Sequence, residues 1–373
     1  MVPHDASRTP GPAAVGLDQA RTLVEARLAR ILDQHREHAA RIHPDAAPVV
    51  DVLSRLSGGG KRMRALLAWI GWRAAGGAAN AERILTAGAA VELFQTAALV
   101  HDDILDRSDT RRGMPSVHRS FEASHRHHGW RHDPEHYGVS AAILAGDVCL
   151  ALADTTFLEA ILGSARPDRA LAEMQTMRFE VMVGQYLDVL AEMVPPAADT
   201  AAAGARAETV VEYKSARYSA VHPLALGALL AGGDDALVAA FERVTLPFGI
   251  AYQYQDDLLG VFGDPDLTGK PAGDDLREGK RTTLIAHAVA LLDPSTAAEL
   301  DADLGRPDLT DERIHHWLRR LTDCGARQRV EDDIRTRLEE STAARAGLVE
   351  AGAAEDAVTD LTALMDSLVH RNA

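Results

Sequence analysis

Apolar residues recur at three- and four-residue steps from about residue 17 to the end of the chain, while alternating Val/Ile/Thr runs bounded by turn residues are nearly absent. Val330, Ile334 and Leu338, for example, step by four between charged residues, which places them on one face of a helix. Ala, Leu, Glu and Arg dominate throughout, and all favour helix. The breaks are brief. Ser57-Gly58-Gly59-Gly60 opens one helix, and residues 107–137 read as a long, polar, histidine-rich connection. Pro195-Pro196 and the Ala/Gly stretch after them separate two more helices, and Gly263 to Gly279 form a Gly/Pro/Asp-rich loop. No break has the character of an interdomain linker, and no period of 20–50 residues recurs. The pattern predicts an all-α protein, with a flexible Pro/Gly/Ala-rich tail over residues 1–16 and one large helical domain over 17–373.

Composition narrows the function classes. The 373 residues are 46% hydrophobic, as expected of a globular protein, and carry a net charge of −16. That charge argues against general binding to nucleic acid or to an anionic membrane, both of which favour a basic surface. It leaves room for a local basic pocket and an anionic small molecule. Cys149 and Cys324 show neither metal spacing nor a disulfide framework, which fits a reducing cytoplasm. The N-terminus lacks a signal-like apolar stretch, and charges interrupt the Ala-rich runs well before twenty residues, so no membrane span is expected.

The informative chemistry lies in two aspartate clusters. The first is Asp102-Asp103-Ile104-Leu105-Asp106, followed by Arg111-Arg112-Gly113. On a helix Asp102 and Asp106 share a face and Asp103 points about 100° away. Oxygen ligands with room for water suit magnesium, and the two arginines could hold phosphate by bidentate contacts. The second cluster, Asp256-Asp257, follows an apolar run and is trailed by Lys270 and Lys280, each preceded by glycine. Tyr213-Lys214-Ser215 adds a third lysine, and Gly59-Gly60-Lys61-Arg62-Met63-Arg64 sets cations at a helix start, where backbone N–H groups favour anions. This is not the nucleotide P-loop, because no strand precedes it and the spacing differs. An isolated pair of aspartates or a single lysine is ordinarily a solvated surface feature; the repetition of the pattern points to a divalent metal and phosphate.

Taken in order, GGGKRMR at 58–64, HDDILDRSDTRRG at 101–113, GQYLD at 184–188, EYKS at 212–215, YQYQDD at 252–257 and GKPAGDDLREGKRT at 269–282 resemble the trans-isoprenyl diphosphate synthase (polyprenyl synthetase) family. The resemblance implies a helical bundle around a deep central cavity, a homodimer, and condensation of an allylic diphosphate with isopentenyl diphosphate. It implies that Asp102 and Asp106 ligate two magnesium ions and Asp256 a third. It assigns Arg111, Lys214, Ser215, Gln253, Lys270 and Lys280 to the allylic diphosphate, and Lys61, Arg64, Gln95 and Arg112 to isopentenyl diphosphate. Three positions depart from the family pattern. Gly260 stands where a third aspartate is frequent, Gln95 where histidine is common and Ser215 where threonine is common. The last two keep a hydrogen-bonding group.

In such enzymes the residues before the first motif wall the product pocket. Ala98 lies one turn beneath Asp102, about 6 Å at the helical rise, and Phe94 about 12 Å. With alanine at both 97 and 98, the first bulky candidate for a floor is Phe94, and the expected product is geranylgeranyl diphosphate, with a farnesyl or longer-chain synthase as the alternative. Other readings are a class I terpene cyclase, which has no need of the Lys61/Arg64/Arg112 set, and a non-catalytic partner subunit, in which aspartates would be lost. The histidines at 125, 127, 128, 132 and 136 raise a zinc site as a possibility, but irregular spacing without cysteine favours a polar surface loop.

Overall fold

In the computed structural model, residues 16–78, 80–194, 200–263, 272–306 and 308–369 are described. Helices α1 (Leu17–Ile42), α2 (Ala47–Ser57), α3 (Met63–Ala74) and α4 (Glu82–Leu105) come first, then α5 (Val117–His128), α6 (Pro134–Ile161), α7 (Pro167–Met193) and α8 (Thr200–Val210). A π-helical segment (Val211–Val221) runs into α9 (His222–Ala231), and α10 (Asp235–Phe262) follows. Seven further helices, counting one of five residues at Asp274–Glu278, lie between there and Val369.

Starts and stops follow local chemistry. Asp133 caps α6 through Glu135 N (3.0 Å) ahead of Pro134, and Asp234 caps α10 through Leu237 N (2.9 Å). Two large buried clusters form the interior. The first joins α1 to α7, α9, the front half of α10 (Phe241, Val244, Phe248) and the helix Glu355–Val369. The second joins the back half of α10 (Ala251, Tyr254, Val261) to Thr283–Leu291, Asp311–Asp323 and Ala326–Ala344. Val330 and Ile334 are buried in the second cluster, and Leu338 packs against both, as the four-residue step predicts. α10 therefore threads both cores, and Asp256 lies on its second half.

Three expectations are corrected. The stretch 107–137 is not a loop: it holds a two-residue antiparallel hairpin, Thr110–Arg111 with Met114–Pro115, then α5 and the start of α6. Val117, Phe121 and His125 step by four along α5 and are buried, so the histidine run has an inward face. His125 packs edge-on to Trp130 and hydrogen-bonds the Arg131 carbonyl at 2.9 Å. A short helix, Asp274–Glu278, interrupts the Gly/Pro/Asp loop after α10. Finally, α4 and α6 are long and apolar enough to cross a membrane by length and composition, because Glu92 is the one Asp, Glu, Lys or Arg of α4 between Arg83 and Asp102 and Asp147 the one in α6 between Glu135 and Asp154. In α4 that hydropathy serves the core, since 78% of the window is buried, against 44% in α6.

Candidate functional site

Asp102 closes the last turn of α4, and Asp106 is its C-cap, bonded through its backbone N–H to the Asp102 carbonyl at 2.8 Å. Two carboxylates at the negative end of a helix dipole repel each other and the helix, and the arrangement favours a cation. Burial first, then the neighbouring Asp102, pushes the Asp106 carboxyl up to about 6 against the pull of Lys280 and Lys214. Asp102 Oδ1 is buried and accepts no hydrogen bond, with Lys214 Nζ 3.6 Å away. Asp103 points elsewhere, as helical geometry requires. It is fully buried, and its Oδ1 takes Arg111 Nε at 2.7 Å and Nη2 at 2.5 Å. Arg111 Nη2 in turn lies 3.6 Å from Asp102 Oδ2.

Lys214 is delivered by the π segment. Its turn is wide, closing His222 N onto the Arg217 carbonyl, and Pro223 follows at once. A Cβ on Gly184 of α7 would lie 2.5 Å from Lys214 N, and one on Gly249 of α10 2.9 Å from Ala216 Cα, so glycine lets both helices close on this segment. Lys214 pairs with Asp188 of α7 as well as with Asp102. Burial pulls its ammonium down, but Asp188, Asp102 and Asp106 outweigh that and raise it. Lys280 plays a matching part from the far side, with Nζ 2.7 Å from Glu278, 3.6 Å from Asp275 and 3.9 Å from Asp106.

Asp256 is open to the cavity, yet desolvation by the surrounding protein, followed by the Asp275 charge, raises its carboxyl to about 6, with Arg64 pulling the other way. Asp257 accepts Gln253 Nε2 at 2.8 Å and is pushed to about 7, mainly by burial. At Gly260 a Cβ would sit 2.0 Å from Asp275 Oδ2. The space where a third carboxylate of the motif would begin is thus filled by a carboxylate arriving from 15 residues further on.

Many of these groups border two adjoining cavities; Asp102, Asp106 and Arg111 line neither, and Asp102 and Asp106 meet the lining through Lys214 and Lys280. One, of about 860 Å³, is lined by Asp188, Lys214, Ser215, Gln253, Asp256, Asp257, Asp275 and Lys280 among others. The other, of about 310 Å³, is lined by Lys61, Arg64, Glu92, Gln95 and Arg112. Lys61, Ser215, Tyr252, Gln253 and Asp256 line both. In the smaller cavity Arg64 lies over the Tyr218 ring (4.5 Å) and donates Nη2 to Ser219 Oγ at 2.7 Å, while its Nε is buried without a partner. Gln95 Oε1 accepts the Tyr218 hydroxyl at 2.8 Å. Arg112 donates to the carbonyls of Leu56 (2.9 Å) and Gly58 (3.0 Å).

The structure therefore brings together most of the residues singled out in the sequence. Lys270 lies outside the described residues, and Phe94, Ala97 and Ala98 line neither cavity. Phe94 is buried edge-on to Tyr218, with ring centroids 5.6 Å apart. Sequence reasoning placed Asp275 in the second acidic cluster but gave no role to it, to Asp188, Glu92, Tyr218 or Ser219. Asp188 carried a signal, as the last residue of GQYLD, and Asp275 another, within GKPAGDDLREGKRT; Glu92, Tyr218 and Ser219 act through contacts distant in sequence.

Among the described residues no three His, Cys, Asp or Glu side chains converge on a metal position, either at the histidines or at the aspartates. The donors present nonetheless fit a hard divalent cation. They are all carboxylate oxygens, one is buried without a partner, and two are held near 6 by desolvation and then by a neighbouring carboxylate, both of which a cation would offset. Oxygens of a bound phosphate would complete the shell.

An all-helical bundle with carboxylates and lysines lining one cavity, and arginines with a lysine in the next, defines a protein suited to two multiply charged anions at once. The comparisons agree: the chain belongs to the polyprenyl synthetase family, whose model matches residues 49–321. It is similar to a short chain isoprenyl diphosphate synthase of Methanocaldococcus jannaschii, at 31% identity over 69% of this chain and 71% of the relative. It is also similar to a geranylfarnesyl diphosphate synthase of Aeropyrum pernix, at 30% identity over 74% of this chain and 86% of the other. Among solved structures, the geranylgeranyl pyrophosphate synthase of Corynebacterium glutamicum, complexed with isoprenyl diphosphate and magnesium, superposes with a TM-score of 0.87 at 38% identity, covering 95% of this chain and 99% of that one.

Proposed function

We propose that this chain is a short-chain trans-prenyltransferase that condenses isopentenyl diphosphate with an allylic diphosphate and releases geranylgeranyl diphosphate. The observation that carries the reading is the pairing of two sites, an acidic one braced by Lys214 and Lys280 and a cationic one formed by Lys61, Arg64 and Arg112, on either side of Gln253 and Asp256.

In this reading Asp102, Asp106 and Asp256 hold three magnesium ions, which, when bound, screen the charge that develops on the departing diphosphate. Arg111, Lys214, Ser215, Gln253, Lys270 and Lys280 seat the allylic diphosphate. Lys214 and Lys280 arrive already charged and fixed by their carboxylate partners, so they need little reorganisation as the C–O bond breaks. Lys61, Arg64, Gln95 and Arg112 orient isopentenyl diphosphate so that its double bond faces the allylic carbon. The new C–C bond forms as diphosphate leaves, and the proton lost from the adduct goes to that diphosphate, so no enzyme nucleophile is required. Incubation with magnesium, isopentenyl diphosphate and each allylic primer, followed by sizing of the products, tests the reading. A cyclic hydrocarbon would favour a terpene cyclase, and no product a partner subunit.

Product length rests on Ala97, Ala98 and Phe94 beneath Asp102. Ala98→Phe is expected to shorten the product and Phe94→Ala to lengthen it, read by chromatography of the dephosphorylated alcohols. Unchanged length in both variants would sink the assignment.

The homodimer expected from the resemblance is supported by an apolar face on α6 and α7. Leu144, Phe179 and Tyr186 are 62, 70 and 64% exposed, beside Ile143, Val148, Leu158, Met182 and Val183, and Arg178 of α7 pairs with Asp154 of α6 at 2.9 Å. Large apolar side chains exposed in this number on two adjacent helices favour an association site. Phe179→Glu combined with Leu144→Glu is expected to yield a monomer in light scattering where the parent is a dimer. Small-molecule diphosphates and a second copy of the chain are the partners in this reading. The two free thiols, of which Cys149 is pushed to about 12 by burial, support a cytoplasmic setting.

A further inference from the structure

Arg62, which neither the motifs nor the two sites assign to a substrate, adopts a left-handed conformation (φ 52°, ψ 31°) immediately before α3. Non-glycine residues enter that region infrequently, and arginine is seldom so buried (5% exposed) unless every part of its head is used. Its guanidinium reaches three elements. Nη1 donates to Glu92 Oε2 of α4 at 3.0 Å, Nε to Glu25 Oε1 of α1 at 3.3 Å, and Nη2 to the Ser57 carbonyl at the end of α2 at 2.5 Å. The left-handed residue turns the chain so that Lys61 before it and Arg64 after it line one cavity. Arg112 grips the same turn from the other side through the Leu56 and Gly58 carbonyls.

The charges follow the same plan. Burial and then the Arg62 charge lower Arg112, while Glu92 raises it. Glu92 offsets Arg62, so the net positive charge available to an anion is that of Lys61, Arg64 and Arg112. We propose that Arg62 and Glu92, although both border the smaller cavity, are positioning residues for the second diphosphate, fixing the Lys61–Arg64–Arg112 cluster through their ion pair rather than by holding the substrate. The proposal rests on the prenyltransferase reading above.

Glu92→Gln is the decisive variant because the two explanations differ in sign. If Glu92 were simply a nearby negative charge, its removal would tighten anion binding. As the anchor of Arg62, its loss displaces the cation cluster and weakens binding. Calorimetric titration with isopentenyl diphosphate in EDTA is expected to show affinity reduced by about tenfold to a hundredfold, the scale at which small misplacements act. KM for isopentenyl diphosphate should rise in parallel while KM for the allylic primer stays within about twofold. Arg62→Gly, which keeps the left-handed backbone, is expected to do the same, and Arg62→Lys, which keeps charge without the fork, to lie between. Equal or tighter binding by Glu92→Gln, or equal losses for both substrates, would overturn the proposal. Absence of metal-free binding in the parent protein would instead refute the functional reading beneath it.

Discussion

Asp256→Ala is expected to abolish turnover, lowering kcat by on the order of a thousandfold or more while leaving circular dichroism unchanged. The second acidic cluster has few substitutes for it. Asp257 accepts the Gln253 amide and is pushed to about 7, and Gly260 contributes no side chain. The Asp256 carboxyl itself, held near 6 by desolvation and Asp275, gives the expectation a pH signature. A carboxyl raised above its unfolded value binds its proton more tightly in the folded state. In the metal-free protein its stabilising contribution is therefore full below about 4 and is lost as pH rises through about 6. Metal binding needs the opposite, ionised form. The rate and the thermal shift produced by magnesium with inorganic diphosphate should both decline as pH falls through about 6, with Asp106 titrating in the same range. Near-normal turnover by Asp256→Ala, or a magnesium-induced shift equal at pH 5 and pH 8, would overturn the assignment.

Asp103→Ala is expected to cost about 3–5 kcal/mol of unfolding free energy, although it adjoins a proposed metal ligand and touches no substrate. Asp103 is fully buried, and both Nε and Nη2 of Arg111 converge on its Oδ1. Removing it leaves a guanidinium that is only about one-fifth exposed without its principal counter-charge. Arg111 sits in the hairpin after α4, 3.6 Å from Asp102, so the hairpin should loosen and the allylic KM rise. Urea titration should reveal the loss even with no ligand present, whereas Asp102→Ala should remove turnover with a smaller stability change. Unchanged denaturation of Asp103→Ala would remove it from its structural role.

The division of labour among these aspartates was legible in advance as geometry. Asp102 and Asp106 share a helical face and Asp103 does not, so the placement of one fixed the others. The helical class was equally legible, down to the start of α1 at Leu17 and the stripe at Val330 and Ile334. The histidine-rich stretch misled because its repeat, Val117–Phe121–His125, ends in a residue counted as polar; the imidazole buries one edge against Trp130 and spends the other on a backbone carbonyl. The π turn at Lys214 has no compositional mark, since it depends on how closely α7 and α10 approach at Gly184 and Gly249. The same holds for Glu92 and Ser219, whose partners lie 30 and 155 residues away in the chain.

The contact between Gly260 and Asp275 bears on how this sequence can change. A Cβ added at 260 would lie 2.0 Å from the Asp275 carboxylate, so an aspartate there requires that carboxylate to turn aside. Asp275 in turn neighbours Asp256 and Lys280 and cannot be given up without disturbing both. The two sites are tied energetically, and substitutions there will not add as independent effects.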